Sequence, residues 1–338
     1  VYRVAVPVAP MSIMAAYAIS TAVPTDRVLA AGALAALALV VIGVAGVSDK
    51  VRRWVDPAVV RGAEAAAGIL LVPRGVDLIV GTTVVQTLCH AAEPHLKIQS
   101  LGGVAVSVFI GAAAVGAMLL LLKTRRWLAG PIVIGAGLVL GLALGTHDGL
   151  ENLRIGLYWP RWLPYGIPAP ADFGLALVML ALPQIPATLD EVGKLSRQGG
   201  AKARGMTPSS LCLAAGLANL LSFTVGGPPL GYSGSFSARP RWYSVSLGIA
   251  LVTLALLLGF HLISLIHLIP LAILGVLLAL AGVRMVLALA QLDSVRAVLT
   301  AVTVCAITWG WNLGLGVAGG IIAARLLHFG QARTGRPE

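Results

Sequence analysis

Apolar positions in this chain form runs rather than a short-period alternation. Segments at about 27–46, 57–81, 101–122, 127–145, 172–195, 207–224, 243–260, 269–290, 294–309 and 311–328 are each apolar enough to predict a helix crossing a bilayer. A polar stretch at 146–170 separates the fourth span from the fifth. Two places break the pattern. At the start, the β-branched "VYRVAVPV" leads into a short apolar helix, "APMSIMAAYAISTA". Between the sixth and seventh spans lies "GGPPLGYSGSFSARPR", residues 226–241, with three prolines, four glycines and no charge before Arg239.

The order of these parts repeats. A Pro-containing short segment (1–22) is followed by four spans, then two spans, then the Pro/Gly-rich segment and four more. A unit of two spans, a broken segment and four spans has seven elements, so a second copy is inverted in the membrane. Inverted repeats with discontinuous helices are a transporter architecture. The predicted fold is an all-α polytopic membrane protein: an inverted seven-helix repeat whose two half-helices follow short strands. Twelve of its fourteen segments are then present, and the first copy lacks its first two spans.

Composition and charge agree. Of the 338 residues, 58% are hydrophobic and 11% charged, far below the charged share of soluble domains. The net charge of +11 does not point to nucleic acid, because Lys and Arg fall in short loops. Taking alternate loops as cytoplasmic puts 18 of the 24 Lys and Arg on one side, including Arg52, Arg53 and Arg325. The C-terminus is then cytoplasmic. Cys89, Cys212 and Cys305 are widely separated, with neither metal-ligand spacing nor a disulfide framework. No nucleotide-binding loop, metalloprotease helix or Ser-His-Asp pattern suggests an enzyme or a cofactor.

Broken helices inside a bilayer point to a site. Irregular backbone survives there only when buried in protein or lining a cavity. A half-helix starting at mid-membrane presents unpaired N–H groups and the positive end of its dipole, which suits an anion without Lys or Arg. The candidates are Pro10, Met11 and Ser12 in the first segment and Tyr232, Ser233, Gly234, Ser235 and Phe236 in the second. Within span 172–195, Gln184 lies near the midpoint between Pro183 and Pro186, with Thr188 one turn on. It reads either as a ligand contact or as a partner for a carbonyl freed by proline. Asp190 and Glu191 follow. One reading has a protonated acid here coupling transport to a proton; the other places both acids at the interface near Lys194 and Arg197. His261 and His267 are expected in a short external loop. The glycines at 137, 141 and 145, and at 316 and 320, are expected as helix contacts.

Three motifs, "VPVAPMSIMAAYAI", "DPAVVRGAEAAAGILL" and "ALPQIPATLDEV", resemble in that order landmarks of the molybdate-transporter branch of the sulfate permease (SulP) superfamily. The tenth segment departs from that branch: "SGSFSA" is similar instead to the T-G-S-F-S-R motif of the sulfate permeases, with Ala238 at the position of its Arg. Ala9 and Ser12 stand where the molybdate branch usually has Gln and Lys. The resemblance implies a uracil-permease-type fold in which a core domain moves against a gate domain. It implies core segments at 1–46, with half-helix 9–22 and one span, and at 171–242, with half-helix 233–240, continued by the span 243–260. Gate segments would be 47–145 and 261–330, with an external loop at 146–170 and a tail at 331–338.

The function expected is secondary active transport of a tetrahedral oxyanion, sulfate or molybdate, by alternating access with possible proton coupling. The expected partners are the substrate anion, the lipid bilayer and a second copy through gate helices, in a bacterial inner membrane. A nucleobase or carboxylate transporter of the same fold, and a non-transporting membrane scaffold, are the alternatives.

Overall fold

A computed structural model of the chain describes residues 8–124, 128–145, 154–199, 206–232 and 241–334. It is helical, and its ten principal helical segments follow the ten apolar runs. Every backbone polar group in hydrocarbon needs an internal partner, and a helix supplies one at each residue. Among the described residues, five helices are long and apolar enough to cross a membrane and five more apolar helices are shorter, so the chain is an integral membrane protein.

The described residues form two compact units. The first takes Val1–Leu70, Arg161–Ile249 and Arg284–Glu338, and the second Leu71–Pro160 and Ala250–Val283. Three of these boundaries, after Leu70, Ile249 and Val283, fall within helices, and the one after Pro160 falls in a non-helical stretch.

The first unit begins with strand β1 (Val8–Pro10) and a nine-residue helix α1 (Ser12–Ser20). The half-helix therefore opens at Ser12 rather than at residue 9. Residues 8–10 are extended because they pair, antiparallel, with β4 (Leu230–Tyr232). Helix α2 (Thr25–Ala45) ends at Gly46, whose φ of 68° forms a left-handed cap. Next come the short α3 (Ser48–Trp54) and α4 (Pro57–Val80), which runs on into the second unit. The following span is composite: α8 (Pro170–Ala176), a π-turn (Leu177–Ala181) and α9 (Leu182–Gly199). The π-turn lies just before Pro183, whose ring would otherwise meet the carbonyl four residues earlier, at Met179.

Helix α10 (Pro208–Thr224) lies along α2 through small residues. A Cβ on Gly43 would sit 2.7 Å from the Leu213 nitrogen, and one on Gly216 2.7 Å from Val40. Helix α11 (Arg241–Leu258) starts this unit's last stretch before the second unit, and α14 (Val295–Gly310) and α15 (Leu313–Thr334) close the chain. Gly316 and Gly320 pack on α14 at Thr308 and Val304, as expected of a small-residue stripe. The expected tail is partly helix, because α15 continues to Thr334.

The second unit holds the end of α4, the short α5 (Val84–Leu88), a hairpin of β2 (Ser100–Leu101) and β3 (Val104–Ala105), α6 (Val106–Thr124) and α7 (Ala129–Leu144). It continues with α12 (Leu262–His267) and α13 (Leu271–Val286). Residues 261–267 form a 3-10 turn and a helical turn, not the expected loop, and His267 stacks on His95 with ring centres 4.9 Å apart. Ala114, Val133, Ile273 and Val276 centre its apolar core. Gly137 and Gly141 meet Ile273 and Leu268, so this stripe too is a packing contact.

A buried carboxylate organises this unit. Glu93 is 2% exposed, and its two oxygens accept from the Leu271 and Ala272 amides, each at 2.8 Å, at the start of α13. Gln99 holds the segment in place by accepting from the Glu93 amide at 3.1 Å and donating to the Glu93 carbonyl at 2.8 Å. Burial pushes the Glu93 carboxyl up from its ordinary value, against the opposing pull of the two backbone bonds.

Candidate functional site

The site lies within the first unit, where β1 and β4 cross beside the start of α1. Their register pairs Val8 with Tyr232, Ala9 with Gly231 and Pro10 with Leu230. A two-stranded ribbon leaves polar groups on its edges, and side chains of α10 take them up. Asn219 donates to the Leu230 carbonyl and accepts from its amide, both at 2.6 Å, so its carboxamide continues the ladder. Ser222 donates to the Pro228 carbonyl at 2.7 Å, and the Tyr232 hydroxyl to the Leu211 carbonyl at 3.0 Å. The second strand thus begins two residues after Pro228. Proline cannot donate to a ladder, although the Pro229 carbonyl accepts from Met11 at 2.9 Å.

Helix α1 starts without a side-chain cap: its N-cap residue is Met11, at φ −57° and ψ 110°. The first intrahelical bond runs from the Ala15 amide to the Met11 carbonyl. The Met14 amide donates to Gln184 Oε1 at 3.0 Å. That leaves Ser12 and Ile13, whose amides have no hydrogen-bond partner among the described residues. Ser12 and Pro10 are exposed, while Met11 and Ile13 are each 2% exposed. The start of α1 therefore presents an exposed Ser12, with its amide and hydroxyl, beside the buried Met11 and Ile13. Such a terminus attracts an oxyanion by both hydrogen bonding and dipole.

Helix α9 meets this point along one stripe. Gln184, Thr188 and Glu191 are spaced i, i+4 and i+7, on one helical face. Gln184 and Thr188 are 1% and 0% exposed, and Gln184 Nε2 donates to Thr188 Oγ1 at 3.2 Å. Both polar ends of Gln184 are thus engaged, one of them holding α1 in place. Glu191 reaches the strand crossing: a Cβ on Gly231 would lie 3.3 Å from Met11 Cγ and 3.8 Å from Glu191 Oε2. Its charged surroundings include Lys194, Asp190 and the Arg61–Glu64 pair of α4, which is closed at 2.9 Å. Asp190 differs. It pairs with Lys194 at 2.5 Å and belongs, with Pro186 and Gly193, to a stripe roughly 200° around the helix.

Of the residues singled out from the sequence, Pro10, Met11, Ser12, Gln184, Thr188, Tyr232 and Glu191 gather around this crossing, and Asp190 turns away. Ser233, Gly234, Ser235 and Phe236, with the expected half-helix 233–240, lie outside the described residues. Asn219 escaped notice, although it is the one amide side chain in its span. The mid-membrane argument applied to Gln184 would have found it.

The fold of the described residues is similar to that of solved transmembrane domains. The transmembrane domain of a cyanobacterium bicarbonate transporter, BicA, matches with a TM-score of 0.64 at 17% identity, over 96% of this chain and 84% of that one. The murine solute carrier 26 family member A9 (Slc26a9) anion transporter in the inward-facing state matches with a TM-score of 0.64 at 16% identity, over 91% of this chain and 53% of that one. A further SLC26A9 structure matches with a TM-score of 0.57 at 14% identity, over 90% of this chain and 51% of that one. The chain spans about half the length of both SLC26A9 chains. No protein-family model matches the chain, and no curated protein matches its sequence.

Proposed function

We propose that this protein is a secondary transporter of a small inorganic oxyanion, which binds at the N-terminus of α1. The observation that carries the reading is the Ser12 and Ile13 amides, without a partner among the described residues, at a helix start with no side-chain cap that Gln184 holds at Met14. The sequence reading assigns further donors to residues 233–236, which lie outside the described residues, and the Tyr232 hydroxyl ties the end of β4 to the Leu211 carbonyl. Sulfate or molybdate is the substrate suggested by the SulP-like motifs. Bicarbonate is the second reading, favoured by the likeness to a bicarbonate transporter. Transport proceeds by alternating access, and the core and gate segments given above are part of this proposal. So are a bacterial inner membrane, a cytoplasmic C-terminus and a homodimer through gate helices.

Glu191 is the proton-coupling residue in this reading. It faces the strand crossing, whereas Asp190 is tied to Lys194 on the other stripe. A carboxylate beside an anion repels it, and a protonated one does not, so proton and anion would move together.

Uptake into proteoliposomes tests the function. Labelled sulfate competes against molybdate, bicarbonate and uracil, with and without a proton gradient. Inhibition by an oxyanion and not by uracil is the expected result; the reverse overturns it. Glu191→Gln should abolish the pH dependence of uptake, and an unchanged dependence excludes the coupling role.

A further inference from the structure

The second stripe of α9 borders a cavity of about 760 Å3, well within the size range of ligand pockets. Pro186 and Asp190 form its wall on the helix face opposite Gln184 and Thr188, so it is separate from the oxyanion site. Arg52 and Arg53, at the end of α3, and Arg325 of α15 line it, with His328 beside them. Its two acids are engaged elsewhere: Asp190 pairs with Lys194 at 2.5 Å, and Asp56 caps the Ala58 amide at 2.9 Å and faces Arg296 at 3.6 Å. Arg53 and Arg325 are exposed and have no ion pair among the described residues. Arg52 Nε is buried without a hydrogen-bond partner, and its nearest acid oxygen, on Asp49, is 3.8 Å away.

The rest of the lining is apolar. Val60 and Ile321 form the floor, and Trp54, 70% exposed, stands at the rim. A cluster of arginines over an apolar floor, with an exposed indole beside it, fits an amphiphile with an anionic head. The loop-charge count assigns all three arginines to the side richer in Lys and Arg, and basic pockets between membrane helices on that side suit phosphate headgroups.

We propose that this cavity binds the phosphate headgroup of an anionic phospholipid from the cytoplasmic leaflet, with an acyl chain along Val60 and Ile321. The site stands whether or not the oxyanion reading does.

The test uses the full chain in phosphatidylcholine nanodiscs, titrated with acyl-brominated phosphatidylglycerol or acyl-brominated phosphatidylcholine. Tryptophan quenching is read against Trp54→Phe to isolate Trp54. Half-quenching is expected at an about tenfold lower mole fraction of the anionic lipid. The double substitution Arg53→Ala/Arg325→Ala should remove that preference, and each single substitution should reduce it several-fold. Arg53→Lys/Arg325→Lys should keep most of it. Arg52 is left in place because its stem packs on α9 at Gly193. Equal quenching by the two lipids, or a preference that survives the alanine pair, overturns the proposal. So does loss of the preference on adding inorganic phosphate at matched ionic strength, which marks a site for a soluble anion instead.

Discussion

At the start of α13 the amides of Leu271 and Ala272 are closed by Glu93, each at 2.8 Å, whereas the amides at the same two positions of α1, Ser12 and Ile13, have no partner among the described residues. Both helices begin in apolar surroundings, and both leave their first amides without intrahelical partners. The second unit meets this need with a carboxylate from its own chain; among the described residues, the first does not. Glu93 therefore shows what a helix start in this protein does with an oxyanion when one is built in. It also shows a limit. Burial still pushes the Glu93 carboxyl up, so two amides offset only part of what the charge loses by leaving water. A permanent cap can accept that deficit because the chain holds it there. A transported anion needs further donors to bind, yet must also leave.

Four experiments break or sharpen this contrast. Glu93→Ala should have the largest effect, a loss of roughly 2–4 kcal/mol in stability, because two buried amides lose their partner. Denaturant melting measures it, and a loss below about 0.5 kcal/mol would mean that water replaces the carboxylate freely. Ser12→Pro is next. Proline is tolerated at the first helical position and removes that amide, and the extended Met11 can precede it. Oxyanion affinity in the uptake assay should fall about tenfold to a hundredfold with melting unchanged. Undiminished affinity would show that the open amides are not the site.

Asn219→Leu should follow, lowering stability by about 1–2 kcal/mol, because both polar groups of Leu230 lose their partner. The smallest effect is on pH. A folded value raised above the unfolded one favours protonated Glu93 in the native state. Its stabilisation is therefore complete below the unfolded carboxyl value, about 4.3, and is lost as pH rises through the folded value. The melting difference between the native chain and Glu93→Gln should shrink over that window and stay flat elsewhere.

The spans were legible because hydrocarbon thickness sets a length that an apolar run must meet, and each predicted run holds one helical segment. The half-helix beginning at Ser12 was legible from Pro10 and the change from β-branched to small residues. What the sequence hid depends on long-range pairing. The register that sets β4 at Leu230–Tyr232 comes from Asn219 and from β1, both distant in the chain. Glu93 sits in "CHAAEPHLK", which has no period to read, and its partners are 178 and 179 residues away. The choice between Asp190 and Glu191 turned on helix phase, and neighbouring residues on a helix face directions about 100° apart.

That phase depends on the π-turn at Leu177–Ala181, which holds one more residue per turn than the helix around it. Regular α winding of the same five residues would rotate all of α9 by about 100° against its neighbours. Gln184 would swing off the Met14 amide, Glu191 would leave the strand crossing, and the arginine-lined wall would turn with them. The extra residue in this turn thus works as an angular offset, aiming the two proposed binding surfaces at once.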